Sequence, residues 1–350
     1  MPSKVATPVT PPARVAVTGA NGFIGQHCVA ALLANGYRVI GTVRTEAKAA
    51  TVRHLHEATG LTVVVVPDIT DAEALLSALG PWEPLAILHL AGPFHYHAAD
   101  FERDLMRPAV GGAVAVLQAA ERLPTVRRVV HTGSFAAIYD ADAGPRPGKT
   151  YSARDWSPLT YGDGARAGDV NTAYRASKTA AERAAWAYVR DRRPAFDLVS
   201  LCPAMVFGPV LHRPTSPAEL NTSNGLVWAA LSAGRSGPVP PTRGPVWVDV
   251  RDVASAHVGA LEVADAGGRR FLLAAGVYCN QELVDLGRKL CGGSKIGERI
   301  PIGRPGLRES GGHFGVDASD AERVLGLRFR SLESCLADLV PQLFEIEGEG

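Results

Sequence analysis

Cysteine is sparse in this chain of 350 residues. The five thiols (Cys28, Cys202, Cys279, Cys291, Cys335) are odd in number and scattered, with no CxxC pair. That argues against a disulfide-framed module and against a zinc ribbon; a thiol in an apolar run, as Cys28 in GQHCVAALL, behaves as a small hydrophobe. Charge of one sign is not in excess either: 36 Lys+Arg face 35 Asp+Glu. The balance gives no electrostatic reason to bind nucleic acid or an anionic membrane. Long apolar runs are missing, since LTVVVV (Leu61–Val66) falls far short of the roughly 18 residues of a membrane helix. The opening MPSKVATPVTPPAR carries four prolines and no apolar h-region, so no secretory signal is expected. Residues 1–13 are expected to be a flexible arm that folds against nothing. With 46% hydrophobic and 20% charged residues, the expectation is an ordinary globular protein of the reducing cytoplasm.

What is present is an alternation of β-rich and helical segments. Strands are expected at Arg14–Thr18, Tyr37–Val43, Thr62–Val66, Leu85–Leu90, Arg127–Thr132 and Phe196–Leu201. Helices are expected at Gly22–Asn35, Lys48–Thr59, from the box Thr70-Asp71-Ala72-Glu73 through Leu79, at Pro108–Arg122 and at Thr172–Arg190. The uninterrupted β-branched run Thr62–Val66 reads as a strand buried on both faces. Short links between alternating strands and helices require crossovers, hence an α/β fold with a doubly wound, mostly parallel sheet. The pattern breaks near Pro203. A dinucleotide-binding unit over 14–203, with about 245–275 returning to it, is therefore expected to carry a smaller substrate-binding segment, mainly 204–350, with helices such as Gln281–Cys291 and Leu332–Leu343. The connection Asp140–Gly168, with five glycines, reads as a lid or surface excursion.

Between the first strand and helix lies Thr18-Gly19-Ala20-Asn21-Gly22-Phe23-Ile24-Gly25, a GxxGxxG turn. Gly19 permits the tight turn, Gly22 lets backbone approach a pyrophosphate, and Gly25 lets helix lie on strand; the helix N-terminus then holds the anion. These eight positions, apart from Ala20, are candidate cofactor contacts. NAD enzymes usually place a carboxylate at the end of the second strand. Here that strand ends in Arg44, with Lys48 one turn on. A guanidinium engages a 2′-phosphate that a carboxylate would repel, so NADPH/NADP+ is expected rather than NAD. Asp68 could accept from the adenine amino group or could simply form the turn before Thr70.

Tyr174-Arg-Ala-Ser-Lys178 is the sole YxxxK of the chain, placed so that both side chains share a helix face. Ser134 ends a strand in His131-Thr132-Gly133-Ser134. Hydride addition to a carbonyl leaves an alkoxide that needs a proton, and a phenol of pKa about 10 is a poor neutral-pH acid. An ammonium about 4 Å away, worth about 4 kcal/mol at an effective dielectric of 20, would bring that pKa toward about 7. Tyr174 is then the candidate general acid, Lys178 its electrostatic partner and a ligand of the nicotinamide ribose, and Ser134 the holder of the substrate oxygen. Apolar and aromatic side chains expected beside that pocket are Phe94, Tyr96, Phe135, Met205 and Trp228. His95 and His97 lack a third metal ligand, so no metal is expected. Arg251-Asp252 reads as a structural ion pair or cap.

Together, TGANGFIG, GTVR, HTGS, AYRASK, LCPAMVFGP, LNTS and VDVRDVASAH resemble the extended short-chain dehydrogenase/reductase superfamily along almost the whole chain. More narrowly the chain resembles its dihydroflavonol reductase-like branch, which includes the fungal methylglyoxal, aldehyde and ketone reductases. The resemblance implies a Rossmann sheet, the catalytic set Ser134, Tyr174 and Lys178, and cofactor contacts at Asp68, Ile69, Leu90, Ala91, Gly92, Thr132, Pro203, Val206 and Ser223. A small carbonyl substrate is expected, and the oligomeric state is left open between monomer and homodimer. Two departures stand out: Gly133 replaces a hydroxyl residue of the usual TSS, and Ser134-Phe-Ala-Ala-Ile-Tyr139 is similar to the loop of nucleotide-sugar epimerases. An epimerase or dehydratase holding NAD is therefore the alternative, and a non-catalytic dinucleotide sensor would have no use for Tyr174 and Lys178.

Overall fold

The computed structural model describes residues 7–57, 59–92, 98–308 and 313–348. The strands are β1 (Arg14–Thr18), β2 (Arg38–Val43), β3 (Leu61–Val65), β4 (Ala86–His89), β5 (Arg128–Thr132), β6 (Thr150–Ser152), β7 (Asp197–Pro203), β8 (Met205–Phe207), β9 (Val246–Asp249), β10 (Arg270–Leu273), β11 (Gly276–Val277) and β12 (Gly315–Asp317). The helices are α1 (Phe23–Ala34), α2 (Glu46–Leu55), α3 (Ala72–Leu79), α4 (Arg107–Arg122), α5 (Tyr161–Ala165), α6 (Val170–Arg192), α7 (Thr222–Leu231), α8 (Val250–Glu262), α9 (Asn280–Leu290), α10 (Lys295–Arg299), α11 (Ser319–Leu325) and α12 (Leu332–Glu347).

Seven parallel strands run in the order β3-β2-β1-β4-β5-β7-β10. The order reverses between β1 and β4, where a doubly wound sheet opens a crevice at the carboxyl ends of its strands. Helices cover both faces: α1 and α8 pack together, as do α4 with α3 and α6. Two apolar clusters result, one around Val15, Val17, Leu32 and Leu261, the other around Ala16, Ile87, Leu117 and Leu198. Both faces of β4 and β5 are buried throughout, as a covered parallel sheet requires. Arg128 is fully buried, forked onto Asp197 at 2.8 Å and donating to the carbonyls of Ala260 and Val263 at 2.7 Å. It satisfies the carboxyl end of α8 and ties that helix to the sheet.

Beyond Pro203 the chain builds a second core. A small sheet β11-β9-β8 and helices α7, α9 and α12 bury Phe207, Trp247, Tyr278, Leu283 and Phe344. The remaining two-stranded sheet pairs β12 with β6. The excursion 140–168 is thus partly ordered into β6 and α5, with Tyr151 buried at 3% exposure.

Several expectations are corrected. The arm is anchored from Val9, which is 1% exposed, donates to Leu261 O and accepts from the Tyr37 hydroxyl. The run at Leu61–Val65 is not buried on both faces: it forms the edge strand β3, where only Val63 is buried. The helix after β2 starts at Glu46 behind the Thr45 cap and stops at Leu55, short of Thr59. Asp71, not Thr70, caps α3, because the Thr70 hydroxyl and amide are both held by Asp68.

Candidate active site

Register brings the carboxyl ends of β1, β4 and β5 side by side: Thr18 pairs with His89, and His89 with His131. The glycine turn leaves β1 there. Gly19 has φ +69°, and a Cβ on it would stand 3.0 Å from the Ala91 backbone; on Gly25 a Cβ would lie 2.2 Å from Gly19 O. The turn is therefore as small as its chain allows. Gly22 begins α1 with no side-chain cap, so the first amide hydrogens of a 12-residue helix face the crevice. A cradle that a Cβ would fill and an uncapped helix dipole together fit a pyrophosphate. The Thr18 side chain is engaged within the protein. Its hydroxyl accepts from Leu90 N and Ala91 N, both at 3.1 Å, and bonds His89 Nδ1 at 3.0 Å, pinning the 90–92 segment onto the turn. Around the turn, Gln26 donates to Asn21 O, Phe23 meets His27 edge-on, and Ile24 packs on the core.

Arg44, just past β2, and Lys48, in the first turn of α2, are both exposed. Across from them, the Asp68 carboxyl is held below its usual range, first by the Thr70 hydroxyl and amide, with the Arg44 charge adding to this. Ile69, half-buried, rests on Gly112.

Tyr174 and Lys178 lie in the second and third turns of α6, whose start is fixed by Asp169 accepting from Asn171 N and Thr172 N. Tyr174 is half-buried and hydrogen-bonded to Ser134, which also accepts from Ala136 N at 3.1 Å. Burial raises the phenol above its ordinary value, and the Ser134 bond opposes this. This direction is the reverse of the acidification expected from Lys178, because desolvation outweighs the hydrogen bond. The ammonium comes close to Gly92 and depresses the proton affinity of both His89 and His131. Burial pushes Lys178 itself down, against the Cys202 and Glu182 side chains.

Thr132, expected at the cofactor, points its hydroxyl at His257 Nε2, 2.8 Å away on α8. Phe135, expected in the pocket, is 8% exposed and stacks on Tyr139 at 4.9 Å, with Tyr151 and Phe314 closing the cluster. It supports the wall beside Ser134 from behind. Pro203 and Val206 are buried at the end of β7 and in β8; Met205 touches Gly244; Trp228 on α7 meets Phe344 edge-on, and Ser223 opens the same helix, half-buried. Phe94, Tyr96 and the pair His95 and His97 lie outside the described residues. Arg251 and Asp252 do not pair with each other: Arg251 grips Asp249 and Asp338, while Asp252 holds Arg330.

Sequence reasoning missed Glu182 and Arg270. For Glu182 a signal was available, because positions 174, 178 and 182 repeat every four residues along one helix face; for its pairing with Arg270 there was none.

Residues 15–274 match the model of the NAD dependent epimerase/dehydratase family. Over 346 residues the chain is 33% identical to the NADPH-dependent methylglyoxal reductase of Saccharomyces cerevisiae, covering 95% of this chain and 99% of that one. It is 34% identical over 338 residues to a ketoreductase of Aspergillus niger, covering 95% and 98%. Among solved structures, yeast methylglyoxal/isovaleraldehyde reductase complexed with NADPH superposes with a TM-score of 0.88 at 31% identity, covering 96% of this chain and 100% of that chain.

Proposed function

Given that the chain belongs to the NAD dependent epimerase/dehydratase family, we propose that it is an NADPH-dependent reductase of a ketone or aldehyde carbonyl on a small, largely apolar or aromatic molecule. The observation that carries this is the Tyr174–Ser134 hydrogen bond beside Lys178, at the end of the sheet that also bears the glycine turn. Two relatives, a methylglyoxal reductase and a ketoreductase, point the same way.

Bound NADPH supplies the hydride. The amides of Gly19–Gly25 would hold its pyrophosphate, Arg44 and Lys48 its 2′-phosphate, and Lys178, Pro203, Val206 and Ser223 its nicotinamide end. Ser134 and Tyr174 grip the substrate oxygen. A phenol raised by burial is fully protonated at neutral pH, the form a proton donor needs, and it passes that proton to the oxygen as negative charge develops there. Phe135, Met205 and Trp228 support an apolar wall. Five cysteines free of disulfides suit a reducing compartment such as the cytoplasm, and the motifs are in keeping with the dihydroflavonol reductase-like branch.

The family description keeps one rival in view, an epimerase with resident NAD. An exposed Arg44 in place of a strand-end carboxylate favours the phosphorylated cofactor instead. Purified protein mixed with NADPH and a panel of aryl and alkyl ketones separates the two. Loss of reduced-nicotinamide absorbance supports the reductase; a co-purified cofactor that turns over without net oxidation supports the epimerase.

A further inference from the structure

One turn beyond Lys178, on the same face of α6, sits Glu182, whose side chain is fully buried. Its carboxylate takes a fork from Arg270, Nε at 2.7 Å and Nη2 at 2.9 Å, and also accepts from the Ser200 hydroxyl and more weakly from Cys202 and Trp186. Such a pair is costly to bury, and breaking it by removing one partner is more costly still. Its placement shows what it holds. A Cβ on Gly133, next to Ser134, would lie 3.1 Å from Cys202 Sγ and 3.4 Å from Glu182 Oε2, so the serine strand end rests directly on this carboxylate. The other hydrogens of the Arg270 guanidinium go to the carbonyls of Ala137, Ala153 and Asp155, and its plane stacks on Trp156 at 3.8 Å. One carboxylate and one guanidinium thus join the helix of Tyr174 and Lys178, the turn after Ser134 and the 140–168 excursion.

We propose that Glu182, fixed by Arg270, is a positioning residue of the site: it locks the Ser134 turn onto α6 and supplies the anion that acts on Lys178 from one helical turn away. Among the described residues, the titratable and charged groups around Lys178 are Tyr174 and Glu182 on its own helix, Arg270 of β10 paired with Glu182, His89 on β4, His131 on β5 and Cys202 on β7. Burial keeps both imidazoles neutral, and it pushes the Cys202 thiol up to about 12, where it is uncharged at working pH. Glu182 is then the negative charge left to oppose the desolvation of Lys178.

The kinetic part of this inference rests on the reductase reading; the titration part does not. The chain has only six lysines, so protein carrying carbon-13 lysine gives few Cε signals, and Lys178→Arg identifies the one that matters. In Glu182→Gln the midpoint of the Lys178 signal falls by about one pH unit. The alkaline limb of kcat falls with it, while kcat below that limb recovers toward wild type. A merely structural role would lower kcat equally at every pH and leave the midpoint in place, and an unmoved midpoint overturns the proposal. If Glu182→Gln does not fold by circular dichroism, Glu182→Asp withdraws the charge by one methylene. The midpoint must then fall by a smaller, measurable step, and a wild-type value overturns the proposal. A wild-type enzyme that oxidises no NADPH with any carbonyl refutes the reductase reading, and the titration still decides the role of Glu182.

Discussion

Tyr174 hydrogen-bonds Ser134 although one stands on helix α6 and the other follows strand β5. The bond exists because α6 packs on the 135–137 turn that follows β5 and on β7, where Ser200 donates to Glu182. Two hydroxyls this close can both turn to a single oxygen once a substrate exchanges their mutual bond for bonds to itself, the arrangement a developing alkoxide requires.

Replacing that phenol isolates its role. Tyr174→Phe keeps the ring and its packing and removes the transferable proton. Turnover of a ketone falls by about 10³-fold or more, while the NADPH dissociation constant, followed by quenching of protein fluorescence, changes by less than about threefold.

Cofactor choice is carried by Arg44. A charge-assisted contact to phosphate is worth about 1.5–3 kcal/mol, so in Arg44→Ala the ratio of kcat/KM for NADPH to that for NADH drops by about 10- to 100-fold. An unchanged ratio would place 2′-phosphate recognition elsewhere.

The glycine turn admits no Cβ at position 25. In Gly25→Ala the new methyl meets Gly19 O, and calorimetry shows a loss of about 1–3 kcal/mol of stability. NADPH no longer protects the protein against heat.

Buried imidazoles set the acid limit. Burial, helped by the Lys178 charge, lowers His131 to about 3, and burial lowers His257 to about 4. In the unfolded chain both titrate near 6.5. Between those limits the unfolded state binds more protons, so stability is full above about pH 6.5 and declines as pH falls toward 4. Thermal midpoints measured from pH 7 to pH 4 decline accordingly, and His131→Leu declines less steeply.

How far the sequence reached depended on the range of the forces involved. The β1–turn–α1 unit was legible because Gly19 and Gly25 answer local steric demands, and the Tyr174–Lys178 pair because helical spacing fixes it. Local pattern could not tell β3 from a central strand, since LTVVVV serves an edge as well as a core. Thr70 and Asp71 are both good caps, and only the capture of Thr70 by Asp68 decides between them. Val9 looked free because its partners, Tyr37 and Leu261, come from far along the chain. Glu182 and Arg270 are 88 positions apart, and nothing in either neighbourhood announces the other. Phe135 was placed at the right end of the sheet but turned inward, because Tyr139, Tyr151 and Phe314 offer its ring a better surface than solvent does.

The most direct measurement follows the hydrogen itself. Protein is incubated with NADPH deuterated at the transferable C4 position and a ketone that it consumes, and the product is read by mass spectrometry. One deuterium on the carbinol carbon, with one NADP+ formed per alcohol, is the expected result. Cofactor that stays reduced while the added compound is isomerised or left untouched would contradict a hydride-transferring reductase.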